Sequence, residues 1–243
     1  MSSKKVPGSR RRAAVPHEVG AIRAKLAEFL DSVDESGRRP ANAKVGVYVF
    51  YDYDGEPIYV GQTFESLRQR IGRHLTNQRT DAVAMNVLDP FEVADIELYP
   101  WYEFENPLPG ETTSEYRSRI RSHLESAEYT VFQKVLRDSA LGAVLNEANV
   151  GAADVIDLPP PHRGRIIPDD IYELRKHADI RIARRASTIA NLARVISERD
   201  VSSGLRRTLL TQSRRLETLA RARFDEVMRQ GETIPVDDPS SDT

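Results

Sequence analysis

The chain of 243 residues contains no cysteine, which excludes disulfides, thiolate metal centres and every cysteine-based zinc finger. Aromatic residues make up only 7% of it, with a single tryptophan, so the core cannot be built mainly from rings. No stretch approaches the roughly 18 apolar residues that a membrane span requires. The start, Met1-Ser2-Ser3-Lys4-Lys5, lacks the apolar centre of an export signal. These absences predict a cytoplasmic protein with no membrane partner. A net charge of −2 also excludes a chain that is basic throughout.

What is present is charge, 30% of residues against 40% hydrophobic, as expected for a compact core with much solvated helix. The charge is unevenly placed. Residues 1–40 hold nine Lys/Arg and five Asp/Glu (+4), residues 41–150 hold ten and seventeen (−7), and residues 151–230 hold sixteen and eleven (+5). The tail from 231 has four acids and no Lys or Arg. A polyanion-binding protein needs basic stripes where phosphates pass rather than overall positive charge.

The pattern predicts five regions. Residues 1–43 form a basic arm followed by an amphipathic helix from His17 to about Ser36, with Val19, Ile22, Leu26, Phe29 and Leu30 at helical spacing. Residues 44–150 form the main domain. There the apolar run Val45–Tyr51, a turn containing Asp54-Gly55, and Ile58-Tyr59-Val60 read as a β-hairpin. Thr63 or Ser66 caps a helix bearing Leu67, Ile71 and Leu75, a third strand lies within 91–101, and Thr112 or Ser114 starts a long helix to about Arg137. Residues 151–169, with Pro159-Pro160-Pro161, read as a linker. Residues 170–230 read as an arginine-rich helical hairpin whose buried stripe is Leu205, Leu209, Leu216, Leu219 and Phe224. Residues 231–243 read as a disordered acidic tail. The fold class expected is α/β: a small three-stranded antiparallel sheet flanked by helices, with the N-terminal helix and the C-terminal hairpin added.

Within the main domain lie Gly46-Val47-Tyr48, then ten residues, then Tyr59-Val60-Gly61, followed by Arg70 and His74 one helical turn apart. Glu128 follows in the long helix and Asn146 closes the unit. Tyr48 and Tyr59 on adjacent strands can project from one face. A phenol has a pKa near ~10, so it becomes a base only beside a cation or metal. Arg70 offers a fork of donors for two phosphate oxygens, and His74 can shuttle a proton or hold phosphate. Gly61, without a Cβ, permits close approach at the strand end. Glu125 lies one turn before Glu128 and is the other carboxylate candidate, while Arg73 is the alternative to Arg70. His17, His123, His162 and His177 are scattered and are expected at the surface.

This order of elements over residues 44–149 resembles the GIY-YIG nuclease family. The resemblance implies a Mg²⁺-dependent (or Mn²⁺-dependent) endonuclease acting on double-stranded DNA, in which Tyr48 accepts the proton of the attacking water with Tyr59 as its hydrogen-bonding partner. Arg70 stabilises the transition state, His74 assists, Glu128 holds the metal, and Asn146 orients groups around the metal or phosphate. Gly61, Gln62, Arg68 and Arg73 are candidate DNA contacts. The segment Asn86–Glu115, about 30 residues long, reads as an insertion. The C-terminal helices read either as phosphate-binding, as a cap on the core, or as a homodimer interface through their Leu stripe. With one catalytic unit and neither a zinc-finger linker nor a long multidomain tail, a restriction or defence enzyme is the expected role. The alternatives are a homing or repair nuclease, RNA or branched DNA as substrate, and an inert nucleic-acid-binding protein.

Overall fold

A computed structural model describes residues 16–75, 89–146 and 150–231. The expected basic arm, the acidic tail and part of the 86–115 insertion lie outside the described residues. The element order is α1 (His17–Asp31), β1 (Gly46–Tyr51), β2 (Pro57–Thr63), α2 (Leu67–Leu75), β3 (Asp95–Pro100), α3 (Thr113–Asp138), β4 (His162–Arg165), α4 (Asp169–Arg175), α5 (Ala178–Glu198) and α6 (Ser203–Gly231). Among the described residues no helix is long and apolar enough to cross a membrane.

The four strands form one antiparallel sheet in the order β2-β1-β3-β4. Strand β1 is central, and all six of its residues are buried. Covered on both faces, it reads as a continuous apolar run without polar alternation. One face carries Tyr48 and Phe50, packed with Phe29 of α1, Leu67 and Ile71 of α2, and Leu192, Val195 and Leu205 of the C-terminal helices. The other face carries Val45, Val47, Val49 and Val60, packed against Leu124, Ala127 and Val131 of α3. Helix α3 begins at Thr112, whose hydroxyl accepts from the Glu115 amide while the Glu115 carboxylate accepts from the Thr112 amide, a reciprocal cap.

Three features differ from the sequence expectation. The sheet has four strands, because residues 162–165, placed in a linker, pair with β3 from Leu98↔His162 to Asp95↔Arg165. This strand has no apolar side chain to reveal it: it is a short, charged edge, anchored by the buried Ile166 and Ile167 behind it. Gly164 lies flat under Phe29, whose ring a Cβ would strike. Second, the helix expected from 169 to 198 is two, since α4 stops at Arg175 with Lys176 as its cap and His177 accepts from the Asp179 amide to cap α5. Third, His123 is wedged between Trp101 and Phe104, and His162 stacks on Phe29 and bonds Ser32 at 2.7 Å, so neither is a surface residue.

The C-terminal arginines were expected on the outside of their helices, yet Arg181, Arg185 and Arg215 are buried. All three converge on the Asp52 carboxylate in the β1–β2 turn, Arg185 at 2.8 Å. Arg181 also forks onto Asp54, and Arg185 reaches Glu92. The other Asp52 oxygen accepts the amides of Asp54 and Glu56. The buried face of α6 is therefore largely polar, with Thr208, Thr211, Gln212 and Arg215, whereas Phe224 is exposed. Three cations meet three anions, and the helices are bound onto the hairpin as a cap.

Removing one member of a buried ion cluster leaves its partners desolvated and unpaired, which costs about 3–5 kcal/mol. Asp52→Ala is expected to lower the urea midpoint by that amount at unchanged m-value. A loss below ~1 kcal/mol, the worth of an exposed pair, would contradict the clasp.

Candidate active site

The site is organised by strand register. Tyr48 pairs with Gly61 and Phe50 with Tyr59, so both tyrosines project from the same face of the sheet, their ring centroids 6.1 Å apart. The ring of Tyr48 lies across Gly61: a Cβ there would collide with the Tyr48 ring and hydroxyl, and would come within 2.8 Å of the Tyr59 ring. Gly46 has the same logic toward α2, since a Cβ would run into the side chain of Leu67. The two glycines are thus the spaces into which a tyrosine ring and a helix are fitted.

Helix α2 buries Leu67, Ile71 and His74, a stripe of four- and three-residue steps. His74 is therefore part of the packed face, and its Nε2 lies 2.8 Å from the Tyr48 hydroxyl. Arg70, one turn earlier, is half-buried against the Tyr48 hydroxyl. Burial opposes its charge, but the two tyrosines and Glu65 outweigh burial and raise its pKa. Its Nε is buried and has no hydrogen-bond partner among the described residues, a donor aimed at no acceptor of its own chain. Tyr48 is fully buried, while Tyr59 is partly exposed.

Glu128 comes from the opposite layer. Strand β2 is an edge, and Gln62 on it, paired with Val47, faces α3. Glu128 meets the Gln62 amide there and feels the charge of Arg70. Burial is the dominant influence and pushes its carboxyl up to about 7, with Arg70 and Gln62 pulling the other way. Arg70 from one layer therefore lies within electrostatic reach of Glu128 from the other, without an ion pair between them. Glu125, by contrast, is exposed.

The remaining sequence candidates take distinct places. Asn146 spends both ends of its carboxamide on one residue of β2: its Oδ1 accepts from the Val60 amide at 3.0 Å and its Nδ2 donates to the Val60 carbonyl at 2.8 Å. It holds the edge strand. Arg68 donates to Asn42, the Leu30 carbonyl and Asp31, tying α2 to α1 and the turn at 40–42. Arg73 pairs with Glu65 at 2.6 Å and lines an open cleft of about 420 Å³ with Gln62, Arg70 and Glu125. Arg117, Arg121 and Phe64 share that cleft and were not singled out by sequence reasoning. The signal for the two arginines was the spacing 117, 121, 125, 128, a single stripe of α3 leading to Glu128; Phe64 had none.

Among the described residues no group of three or more His, Asp or Glu side chains could cage a metal ion. A single carboxylate in an open site instead suits a hard divalent cation that keeps most of its waters. The carboxyl of Glu128, held partly protonated by burial near neutral pH, has a deficit of neighbouring positive charge that such an ion would fill.

Residues 44–108 match the family model of the GIY-YIG catalytic domain. Neither the curated proteins nor the solved structures contain a match to the chain. The matched span carries both tyrosine motifs, Arg70 and His74 on α2, and β3, while Glu128 and Asn146 lie beyond it. Members of this family are endonucleases that generally use divalent metal ions, and a nuclease domain implies a nucleic-acid substrate. Over residues 44–108 the chain is therefore similar to the catalytic domain of the GIY-YIG nuclease superfamily.

Proposed function

We propose that the protein is a Mg²⁺- or Mn²⁺-dependent endonuclease that hydrolyses phosphodiester bonds of double-stranded DNA, serving restriction or defence. The observation that carries this reading is Arg70 against the Tyr48–His74 pair, with Glu128 of the opposite layer within its electrostatic reach. A structural role alone accounts poorly for a buried guanidinium nitrogen without an acceptor next to a carboxyl held near neutrality.

In the proposed reaction, water attacks phosphorus and the bond to the 3′ oxygen breaks. Tyr48 takes the water's proton: Arg70 beside its hydroxyl favours the phenolate, and His74 at 2.8 Å is an acceptor for the phenolic proton. Tyr59, at the exposed side of the same ring cluster, orients the entering water. Arg70 turns its unpaired donor to the non-bridging oxygens as charge grows on them. Glu128, with Gln62 beside it, holds the divalent ion, which when bound supplies Lewis-acid stabilisation of the phosphate and leaving oxygen. Asn146 acts through Val60, keeping β2 in register with β1. Gly61 acts by admitting the Tyr48 ring.

The C-terminal helices spend Arg181, Arg185 and Arg215 on the core, so their contribution to DNA affinity rests on the exposed arginines alone. A homodimer through these helices would use the outer end of α6, where Phe224, Val227 and Met228 are exposed. An adjacent DNA methyltransferase gene would favour restriction over homing or repair.

Plasmid DNA incubated with the protein and Mg²⁺ is expected to be nicked or linearised. Tyr48→Phe is expected to slow cutting by about 10²–10⁴-fold, the usual worth of a general base. Arg70→Ala is expected to lower kcat by about 10²–10³-fold, as for other single charge-stabilising groups, and Glu128→Ala to abolish cutting. Wild type that binds DNA but cuts none of a diverse panel would favour the inert binding protein, and persistent cutting by Glu128→Ala would remove the metal assignment.

The pH dependence has a definite sign. The metal-free folded-state pKa of Glu128, about 7, lies above its unfolded value, so protons compete with the divalent ion for the carboxylate and the Mg²⁺ concentration needed for cutting rises as pH falls below 7. The same shift makes the ionised carboxylate unfavourable to folding at high pH and harmless below the unfolded pKa near ~4.5. In chelator at pH 8, Glu128→Gln is therefore expected to be more stable than wild type by roughly 1–3 kcal/mol. The difference should vanish near pH 4. A thermal-shift measurement in which the variant is equally stable at both pH values would contradict the burial of this carboxyl.

A further inference from the structure

The chemistry above uses only one end of the cleft between the turn after β2 and the first half of α3. Its volume of about 420 Å³ is that of a small-ligand site, too small to admit a duplex. Gln62 and Arg70 stand at the reacting end, Arg117 and Arg121 along the α3 wall, Phe64 on the facing turn and Arg73 on α2.

Arg117 and Arg121 are exposed, one helical turn apart, and neither has a hydrogen-bond or ion-pair partner among the described residues. Their stripe continues to Glu128, with Arg121 seven residues, or about 10 Å along the axis, before it. Opposite them, Phe64 is 71% exposed. An isolated exposed phenylalanine carries no message. This one shares the cleft with four guanidinium groups against the two carboxylates of Glu65, which pairs Arg73, and Glu125, a cationic surplus of the kind in which cations track phosphates and a ring receives a base. A paired duplex keeps its bases stacked and offers no base face to such a ring; an unpaired nucleotide does.

We propose that this cleft seats one or two unpaired nucleotides of the strand adjoining the scissile phosphate, with Arg117 and Arg121 on its phosphates and Phe64 stacked on the base. The preferred DNA is then one with a gap, bulge or displaced nucleotide beside the cut. This specificity rests on the nuclease reading but has its own readouts.

The test uses full-length Glu128→Gln protein in Mg²⁺ buffer, a 30-base-pair duplex, and the same duplex with a two-nucleotide bulge carrying 2-aminopurine. The bulged DNA is expected to bind at least tenfold more tightly, with 2-aminopurine fluorescence quenched on binding. Adding Phe64→Ala should abolish quenching and weaken binding of the bulged DNA about 5- to 100-fold, as the loss of one base–aromatic stack implies. Phe64→Tyr should retain both. Arg117→Ala and Arg121→Ala should each lower the slope of log K against log salt by about one, with the melting temperature unchanged. Equal binding of the two DNAs, no effect of Phe64→Ala and unchanged salt slopes would overturn the proposal even if wild type cuts DNA. Quenching and slopes as expected, with no cutting by wild type, would sustain the cleft and remove the nuclease reading instead.

Discussion

The carboxylate of Asp52 is the point on which the architecture turns. It sits buried at the closed end of the β1–β2 hairpin, receiving two backbone amides on one oxygen and guanidinium groups from two C-terminal helices on the other. Two helices distant in sequence are thereby locked to one turn. The strands leaving that turn carry Tyr48 and Tyr59, so the far end of the molecule determines where the phenols stand. A buried ion cluster is a costly way to gain stability, because desolvation consumes most of the Coulombic gain. What it gives here is a single allowed placement of α5 and α6 on the hairpin, since any slip would strand a charge in the core.

The opposite, open end of the hairpin follows the reverse principle. There the charges are left incompletely matched. Arg70 keeps a buried donor without an acceptor, and the Glu128 carboxyl is held near neutrality by burial despite the nearby cation. Two ends of one hairpin thus differ in kind: one is electrostatically closed and rigid, the other is left open for a polyanion and a cation to complete. The separation makes physical sense, because groups poised for chemistry need a scaffold that does not relax around them.

Much of this was legible in the residues, for reasons that differ by element. The hairpin, α1, α2 and α3 announce themselves by apolar period, turn dipeptide and cap, and the resemblance to the GIY-YIG family singles out Tyr48, Tyr59, Arg70 and His74 on them. Strand β4 was illegible because His162-Arg163-Gly164-Arg165 buries nothing apolar and owes its pairing to β3 and to the void that Gly164 leaves for Phe29. The inward turn of Arg181, Arg185 and Arg215 was illegible for a related reason. Periodicity rules assume that a buried face is apolar, whereas this face is matched to acids from more than a hundred residues away. Arg117 and Arg121 fell between: their spacing was visible, but only the fold sets them opposite Phe64 on the turn after β2.

The way Asn146 grips Val60 has an implication for the molecule in a crowded solution. Sheet margins tend to recruit passing chains, and here the carboxamide imitates the peptide group that an incoming strand would offer, with Leu145 donating to Ile58 alongside it. The border nearest the arginine-lined hollow is already taken by the protein's own backbone mimic. Intermolecular zippering is blocked at the one place where an open surface had to be kept for a partner.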